Sequence, residues 1–329
     1  MERNTGNGVS IDEQALRNAL GEVAGDRLQT VKVADDTATV MLEVGGLERL
    51  DRDKLEMAVR DAARKAGVGD LRLGMTAERK SRVIIAVGSG KGGVGKSTLS
   101  ANLAVALHRL GRKVGLVDAD IYGPSQPRLL LTEGRKPEAE DNKIHPIPSP
   151  YGVPMLSMGH LVQPGQAIAW RGPMAGNALG QLIDAHWGEV EIIVVDLPPG
   201  TGDVQLTMLS KHKPAGAVIV STPQDLALMD ATRAIGLFEQ GKVPIIGMVE
   251  NMAGYICPHC GEESDPFGVG GAEAAAKTMG LPFLGRVPLD MAIRRESDAG
   301  NPPAAGDSPQ AEAFLSIARS VLAWLDGKR

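Results

Sequence analysis

GSGKGGVGKST, residues 88–98, stands directly after the apolar run VIIAVG and opens an amphipathic helical segment. From Gly90 to Ser97 its spacing is that of a phosphate-binding loop. The residue types follow from the chemistry. Gly90, Gly92, Gly93 and Gly95 let consecutive backbone N–H groups, that of Val94 included, converge on phosphate oxygens, while the helix start at Ser97 and Thr98 adds partial positive charge. Lys96 is placed to meet the β and γ phosphates, and the Ser97 hydroxyl to ligate magnesium. A turn of purely structural purpose would need the glycines but not the preceding strand, the lysine and the following helix together. Nucleotide binding is the reading.

Working outward, apolar runs recur between helical segments from Val83 onward: VIIAVG, KVGLVDAD, EIIVVDLPPG, AGAVIVST, VPIIGMVEN and LPFLGRVP. Continuous apolar strands of this kind belong to a parallel sheet covered on both faces. Residues 83–329 are therefore expected to form a doubly wound, mostly parallel α/β domain, with ligands outside the carboxyl ends of its strands. The polar, Pro-containing stretch 132–150 reads as a long surface loop. Upstream, residues 11–75 read as a small α+β unit. Ile11, Leu16, Leu20 and Val23 recur at helical spacing, LQTVKV and TATVMLEV alternate like strands, DRDKLEMAVRDAARKAG is a helix ending at Gly67, and LRLGM is a last strand. The charged, non-periodic TAERKSR, residues 76–82, suits a linker. Residues 1–80 then make a separate small domain, suited to partner docking.

A chain of 329 residues with 43% hydrophobic residues can bury such domains, and its net charge of -5 argues against wrapping nucleic acid by bulk electrostatics. No run is long enough for a membrane helix, and the N-terminal MERNTGNGVSIDEQ lacks the apolar stretch of a signal peptide. The expected compartment is the cytosol, with neither nucleic acid nor membrane as partner. The 13 methionines read as core filling.

Lys91 adds a second lysine to the loop. As a unit, KGGVGKS resembles the deviant Walker A signature of the MinD/ParA/nitrogenase-iron-protein superfamily, and that resemblance implies that Lys91 reaches across a homodimer interface to the partner's nucleotide. GLVDAD, residues 115–120, ends a strand in two carboxylates. By the same resemblance, Asp118 lies near the magnesium and Asp120 orients or deprotonates the attacking water. IIVVDLPPGTGD, residues 192–203, carries Asp196 out of an apolar strand, where a magnesium-bound water can meet it. Gly200 then resembles a second-switch glycine offering its N–H to the γ phosphate. Asn251, closing PIIGMVEN, resembles the superfamily's adenine-reading asparagine, and RVPLD, residues 286–290, would close over the base.

The only two cysteines, Cys257 and Cys260, lie in CPHCG, just beyond Asn251. Three readings compete. Such a turn suits a zinc knuckle, but structural zinc takes four protein ligands and one chain offers two thiolates, His259 reading as solvent-facing. A thioredoxin-like redox pair is the second. The third uses a dimer, whose four cysteines suffice for a 4Fe-4S cluster or a shared zinc.

From Val83 to about Pro288 the chain resembles the Mrp/ApbC family of iron–sulfur cluster carrier ATPases, through GKGGVGKST, DADIYGPSQP, WRGPM, VVDLPPGTGD, VENMAG and CPHCG. The resemblance implies a homodimer holding a labile 4Fe-4S cluster between Cys257 and Cys260 of both copies. It also implies binding and slow hydrolysis of ATP with Mg2+, and transfer of the cluster from assembly machinery to apo iron–sulfur proteins. The segment from Asp196 to Asp203 would couple nucleotide to cluster. In WRGPM, Gly172-Pro173 also reads simply as a helix start. Residues 1–80 contain no cysteine, so docking rather than cluster handling is expected of them. The alternative is a ParA/MinD-like positioning ATPase with a structural zinc clasp. Against it, the C-terminal helix AEAFLSIARSVLAWLDGKR has few basic residues for a lipid surface, and its apolar face suits packing on the domain. Three dispersed tyrosines argue against a tyrosine kinase tail.

Overall fold

The computed structural model describes residues 12–34, 37–45, 47, 49–76, 82–140, 143–161 and 172–328. Ile11, most of the expected linker at 77–81, and Trp170 and Arg171 of WRGPM lie outside them. The chain divides into two compact units, Met1–Ser81 and Arg82–Arg329.

In the first unit, α1 (Glu13–Ala24) begins at Asp12, whose carboxylate accepts the N–H groups of Gln14 at 2.9 Å and Ala15 at 3.4 Å. That satisfies two of the four donors a helix start leaves open. β1 (Leu28–Ala34) and β2 (Thr37–Glu43) are antiparallel, α2 (Arg49–Lys65) crosses over, and β3 (Asp70–Thr76) returns parallel to β2. The period-2 alternation of the central strand sends Ala38, Val40 and Leu42 into a core with Leu16, Leu20, Val59 and Ala63.

The second unit begins with β4 (Val83–Gly88), α3 (Lys96–Arg109), β5 (Val114–Asp118) and the short α4 (Gln126–Leu129). A small ribbon, β6 (Ala139–Glu140) with β7 (Lys143–Ile144), precedes β8 (Met155–Ser157), α5 (Gly172–Ile183) and β9 (Ile192–Asp196). Next come α6 (Asp203–Thr207), which runs on into a π-helical turn, β10 (Gly216–Ser221), α7 (Asp225–Gln240) and β11 (Ile245–Asn251). The hairpin β12 (Tyr255–Ile256) and β13 (Glu263–Ser264) is followed by α8 (Gly271–Met279), β14 (Phe283–Val287), α9 (Met291–Asp298) and α10 (Pro309–Asp326).

The sheet is doubly wound, as its apolar runs imply. Its seven strands pair in the order β14-β11-β10-β4-β9-β5-β8, and every pairing is parallel. Alternate residues face opposite layers. Ile85, Val87 and Leu116 pack against Leu99 and Leu103 of α3 and Phe314, Ile317 and Val321 of α10. Ala86, Val117 and Val195 pack against Leu179 of α5, Ile235 and Phe238 of α7 and Ala276 of α8. The C-terminal helix is thus bound by its apolar stripe to its own domain.

Two expectations change. β8 is a strand the pattern missed, because three residues are too few to show a period, and only pairing with Leu116–Asp118 fixes them as extended. The stretch 132–150 is not simply a surface loop. Thr132 and Ile147 are buried, Ile147 makes an antiparallel bridge to Met155, and the ribbon lies within it.

Candidate functional site

The carboxyl ends of β4, β5, β9 and β11 carry the residues in question. After Gly88 the chain wraps around a cavity of about 200 Å³ and enters α3 at Lys96. Lys91, Gly92, Gly93, Gly95 and the residues Lys96 to Thr98 line it, with Asp120 and Pro199 opposite. Two glycines are dictated by close approach. A Cβ on Gly90 would lie 2.0 Å from the backbone of Asp230 in α7, and one on Gly95 would lie 2.0 Å from the Asn251 side-chain nitrogen. Gly95 also has φ 81°, in the left-handed region that favours glycine. Val94 is buried beneath the loop. The first turn of α3 holds no acidic residue, so its N–H groups and dipole are left for an anion.

Behind this cavity lies a buried charge cluster. The Lys96 ammonium donates to Asp196 Oδ1 at 2.7 Å, stands 3.4 Å from Ser97 Oγ, and is 3.9 Å from Asp120 Oδ2. Asp196 also accepts from Ser100 Oγ at 2.9 Å and from Gln126 Nε2 at 2.8 Å. Asp118 stands beside Asp196 in the β5–β9 register. It is fully buried and accepts from the N–H groups of Asp120 and Gln126 and from Ser157 Oγ. Burial, then the neighbouring Asp196 carboxylate, pushes the Asp118 pKa up to about 8. Lys96 offsets the charge of Asp196, whereas the donors given to Asp118 are all neutral. Asp118 does not line the phosphate cavity. Asp120 does, held by the N–H groups of Tyr122 and Gly123 on its Oδ1.

The stretch after Asp196 is tied down. The Gly200 N–H, a candidate phosphate donor, is here given to the Ser89 carbonyl at 2.9 Å. Gln205 Nε2 donates to the carbonyls of Pro198 at 2.7 Å and Gly200 at 3.1 Å. Asn251 likewise gives its amide to the Val94 carbonyl at 2.8 Å, bracing the loop rather than lining its cavity. Gln126, Ser100, Ser157 and Gln205 are the residues sequence reasoning missed. Gln126 stood inside the quoted DADIYGPSQP, but its link to the Ser97 carbonyl at 2.9 Å and to Asp196 arises only when α4 folds back over α3.

The cysteines sit in the turn of the β12–β13 hairpin. The Gly261 N–H donates to the Cys257 carbonyl at 2.8 Å, and the Cys257 N–H to the Glu262 carbonyl at 2.9 Å. The backbone N–H groups of Cys260 and His259 lower the Cys257 pKa, a condition that favours the thiolate a metal needs. Cys260 and His259 are exposed, and both thiols are free. Among the described residues no group of three or more His, Cys, Asp or Glu could hold a metal ion. A larger cavity of about 640 Å³ lies beside the hairpin, between Tyr255, Ile256 and Pro258 and the starts of α9 and α10. Pro288, Leu289 and Asp290 of RVPLD line this cavity and not the phosphate one, while Asp290 caps α9 through the Ala292 N–H at 2.6 Å.

A strand, a glycine loop with a buried lysine and a helix start open to anions define a P-loop nucleotide-binding protein of the doubly wound class. A family model described as ParA, the NUBPL iron-transfer P-loop NTPase, matches residues 80–322, and the chain belongs to that family. The chain is similar to the iron-sulfur cluster carrier protein of Haemophilus influenzae, 41% identical over 314 residues, with 89% of this chain and 84% of that one covered. Among solved structures it is similar to a nucleotide-binding protein from Archaeoglobus fulgidus in complex with ADP, with a TM-score of 0.61, 38% identity, and coverage of 71% of this chain and 91% of that one. It is also similar to the cell division ATPase MinD of Pyrococcus furiosus, with a TM-score of 0.55, 25% identity, and coverage of 73% and 98%.

Proposed function

We propose that the protein carries iron–sulfur clusters: a cytosolic homodimer accepts a 4Fe-4S cluster from assembly machinery, holds it on Cys257 and Cys260 of both copies, and delivers it to apoproteins. ATP binding and its hydrolysis to ADP and phosphate are coupled to that exchange. The observation that carries this reading is the cysteine turn itself: two accessible free thiols, Cys257 with its pKa lowered and Cys260 with the Glu262 carboxylate at 3.8 Å, while among the described residues no group of three or more His, Cys, Asp or Glu could hold a metal ion within one copy. The name of the Haemophilus influenzae relative supports the same assignment. The cluster is cargo here, and two thiolates per copy suit release as well as capture.

At the nucleotide, Lys96 neutralises the β and γ phosphates, exchanging its contact with Asp196 for phosphate oxygens. Ser97 is the side chain that fits magnesium, since its hydroxyl lines the cavity beside the Lys96 ammonium; the ion would supply charge neutralisation to the phosphates. Asp120, facing the same cavity, orients the attacking water. The role left to Asp118 is to fix Asp120 and Gln126 from behind, because its oxygens are already engaged. Gly200 reaches the γ phosphate after leaving Ser89, and Lys91 meets the nucleotide of the partner copy. Residues 1–80 are the proposed docking unit. Among the described residues no helix is long and apolar enough to cross a membrane.

The test is anaerobic reconstitution with iron and sulfide of the wild type and of Cys257→Ala/Cys260→Ala. About four irons and four sulfides per dimer, with a visible chromophore absent from the variant, is the expected result. Stoichiometric zinc with no sulfide-dependent chromophore would turn the hairpin into a structural clasp and overturn the carrier reading.

A further inference from the structure

We propose that Asn251 and Met252 form the junction through which the phosphate loop sets the position of the cysteine hairpin, with Asn251 as the positioning residue. This rests on the carrier reading for its purpose, but the physical link stands on its own geometry.

The Asn251 amide donates to the Val94 carbonyl at 2.8 Å, and its nitrogen fills the space a Cβ on Gly95 would take. The Val94–Gly95 peptide and the Asn251 side chain therefore cannot shift independently. Met252 follows with φ 59°, a left-handed conformation that side-chain-bearing residues rarely adopt. Such a conformation persists only where the surroundings over-determine it. Here Asn251 is pinned on one side. On the other, the Ala253 N–H donates to the Val287 carbonyl at 3.1 Å, and the Leu289 N–H to the Gly254 carbonyl at 2.9 Å. β12 begins at the next residue, Tyr255, and leads directly to Cys257.

The return end of the same loop is anchored one residue before Asn251. Buried Glu250 accepts the N–H groups of Gly270 at 2.9 Å and Ala272 at 2.7 Å, together with Arg286 Nε at 2.9 Å. Residues 252–269 thus leave and rejoin the end of one strand, and the exit point touches the phosphate loop. When phosphate oxygens draw the Val94–Gly95 peptide toward them, Asn251 follows and the Met252 backbone turns the hairpin.

The experiment is alkylation of the cluster-free full chain with N-ethylmaleimide under reducing, anaerobic conditions. Cys257 and Cys260 are quantified separately by peptide mass, with and without a saturating non-hydrolysable ATP analogue and magnesium. Saturation is verified for each protein with a fluorescent nucleotide. In the wild type, nucleotide should change the alkylation rate of at least one thiol by about fivefold or more, the lower bound of ordinary coupling between sites. In Asn251→Ala and the isosteric Asn251→Asp, which has no amide donor, the rates with and without nucleotide should coincide. Met252→Gly, which keeps the amide but frees the backbone, should retain a smaller response. Wild-type-sized responses in the Asn251 variants, or wild-type thiols indifferent to nucleotide, would overturn the junction. Reconstitution in parallel keeps the two ideas apart. A cluster without the thiol response leaves the carrier and removes the junction, and the response without a cluster does the reverse.

Discussion

Lys96 neutralises a buried site that otherwise holds two carboxylates at paired positions on adjacent strands. Removing one partner of a buried ion pair strands the other, at a cost of about 3–5 kcal/mol. Lys96→Ala is therefore expected to abolish ATP hydrolysis and also to lower the unfolding midpoint in urea without nucleotide; an unchanged midpoint would show that Ser100 and Gln126 suffice for Asp196. Asp118 adds a pH dependence. Its folded pKa is raised from 3.8 to about 8, first by burial and then by Asp196. The native state holds this proton where the unfolded chain has released it, so the group's stabilising share is complete below about pH 4 and is lost as pH rises through about 8. In magnesium-free buffer, the melting temperature of Asp118→Asn relative to wild type should shift in the variant's favour between those limits. A constant difference would mean that the carboxylate does not titrate there. Lys96, Asp120 and Asp196 were legible because each sits at a fixed offset from a strand or a glycine run. Gln126, Ser100 and Ser157 were not, since nothing local marks a polar side chain that finds its partner across the sheet.

At the scale of elements, the nucleotide loop belongs to β4 and α3, whereas the cysteine hairpin hangs from β11 and returns to α8. The two touch through Asn251 but share no ligand residue. Cys257→Ala should consequently lose cluster retention on reconstitution while binding nucleotide within about twofold of wild type, because surface changes away from buried partners usually alter free energies by under about 0.5 kcal/mol. A large loss of nucleotide affinity, measured by calorimetry, would contradict that separation. Most elements could be read beforehand, because the sheet's five inner strands are almost wholly buried and carry long apolar runs. β8 and the ribbon escaped for the opposite reason: their extended form is imposed by pairing with β5 and with each other, not by any period in three or two residues.

For the whole molecule, half a ligand set per chain has a thermodynamic consequence. If one cluster takes two thiolates from each of two copies, cluster binding and dimerisation are linked, and each must strengthen the other by the same factor. In the proposed homodimer ATP would enter the same linkage through Lys91, which is half-buried and lines the phosphate cavity. The expected outcome is that the proportion of dimer, measured by sedimentation, rises with ATP and magnesium, rises with the cluster, and rises most with both. Lys91→Ala should remove the ATP contribution alone. It should still dimerise around a cluster, because Cys257 and Cys260 are untouched, and it should still bind ATP as a monomer, because Lys96 and the glycine loop remain. Cysteine-free protein should show the reverse, dimerising with ATP but not with iron and sulfide. Dilution sharpens the test, since a shared cluster must be lost as the dimer separates, whereas a metal held within one chain survives dilution unchanged. A cluster whose retention does not depend on protein concentration would place all its ligands in one copy, against a chain that has only two cysteines.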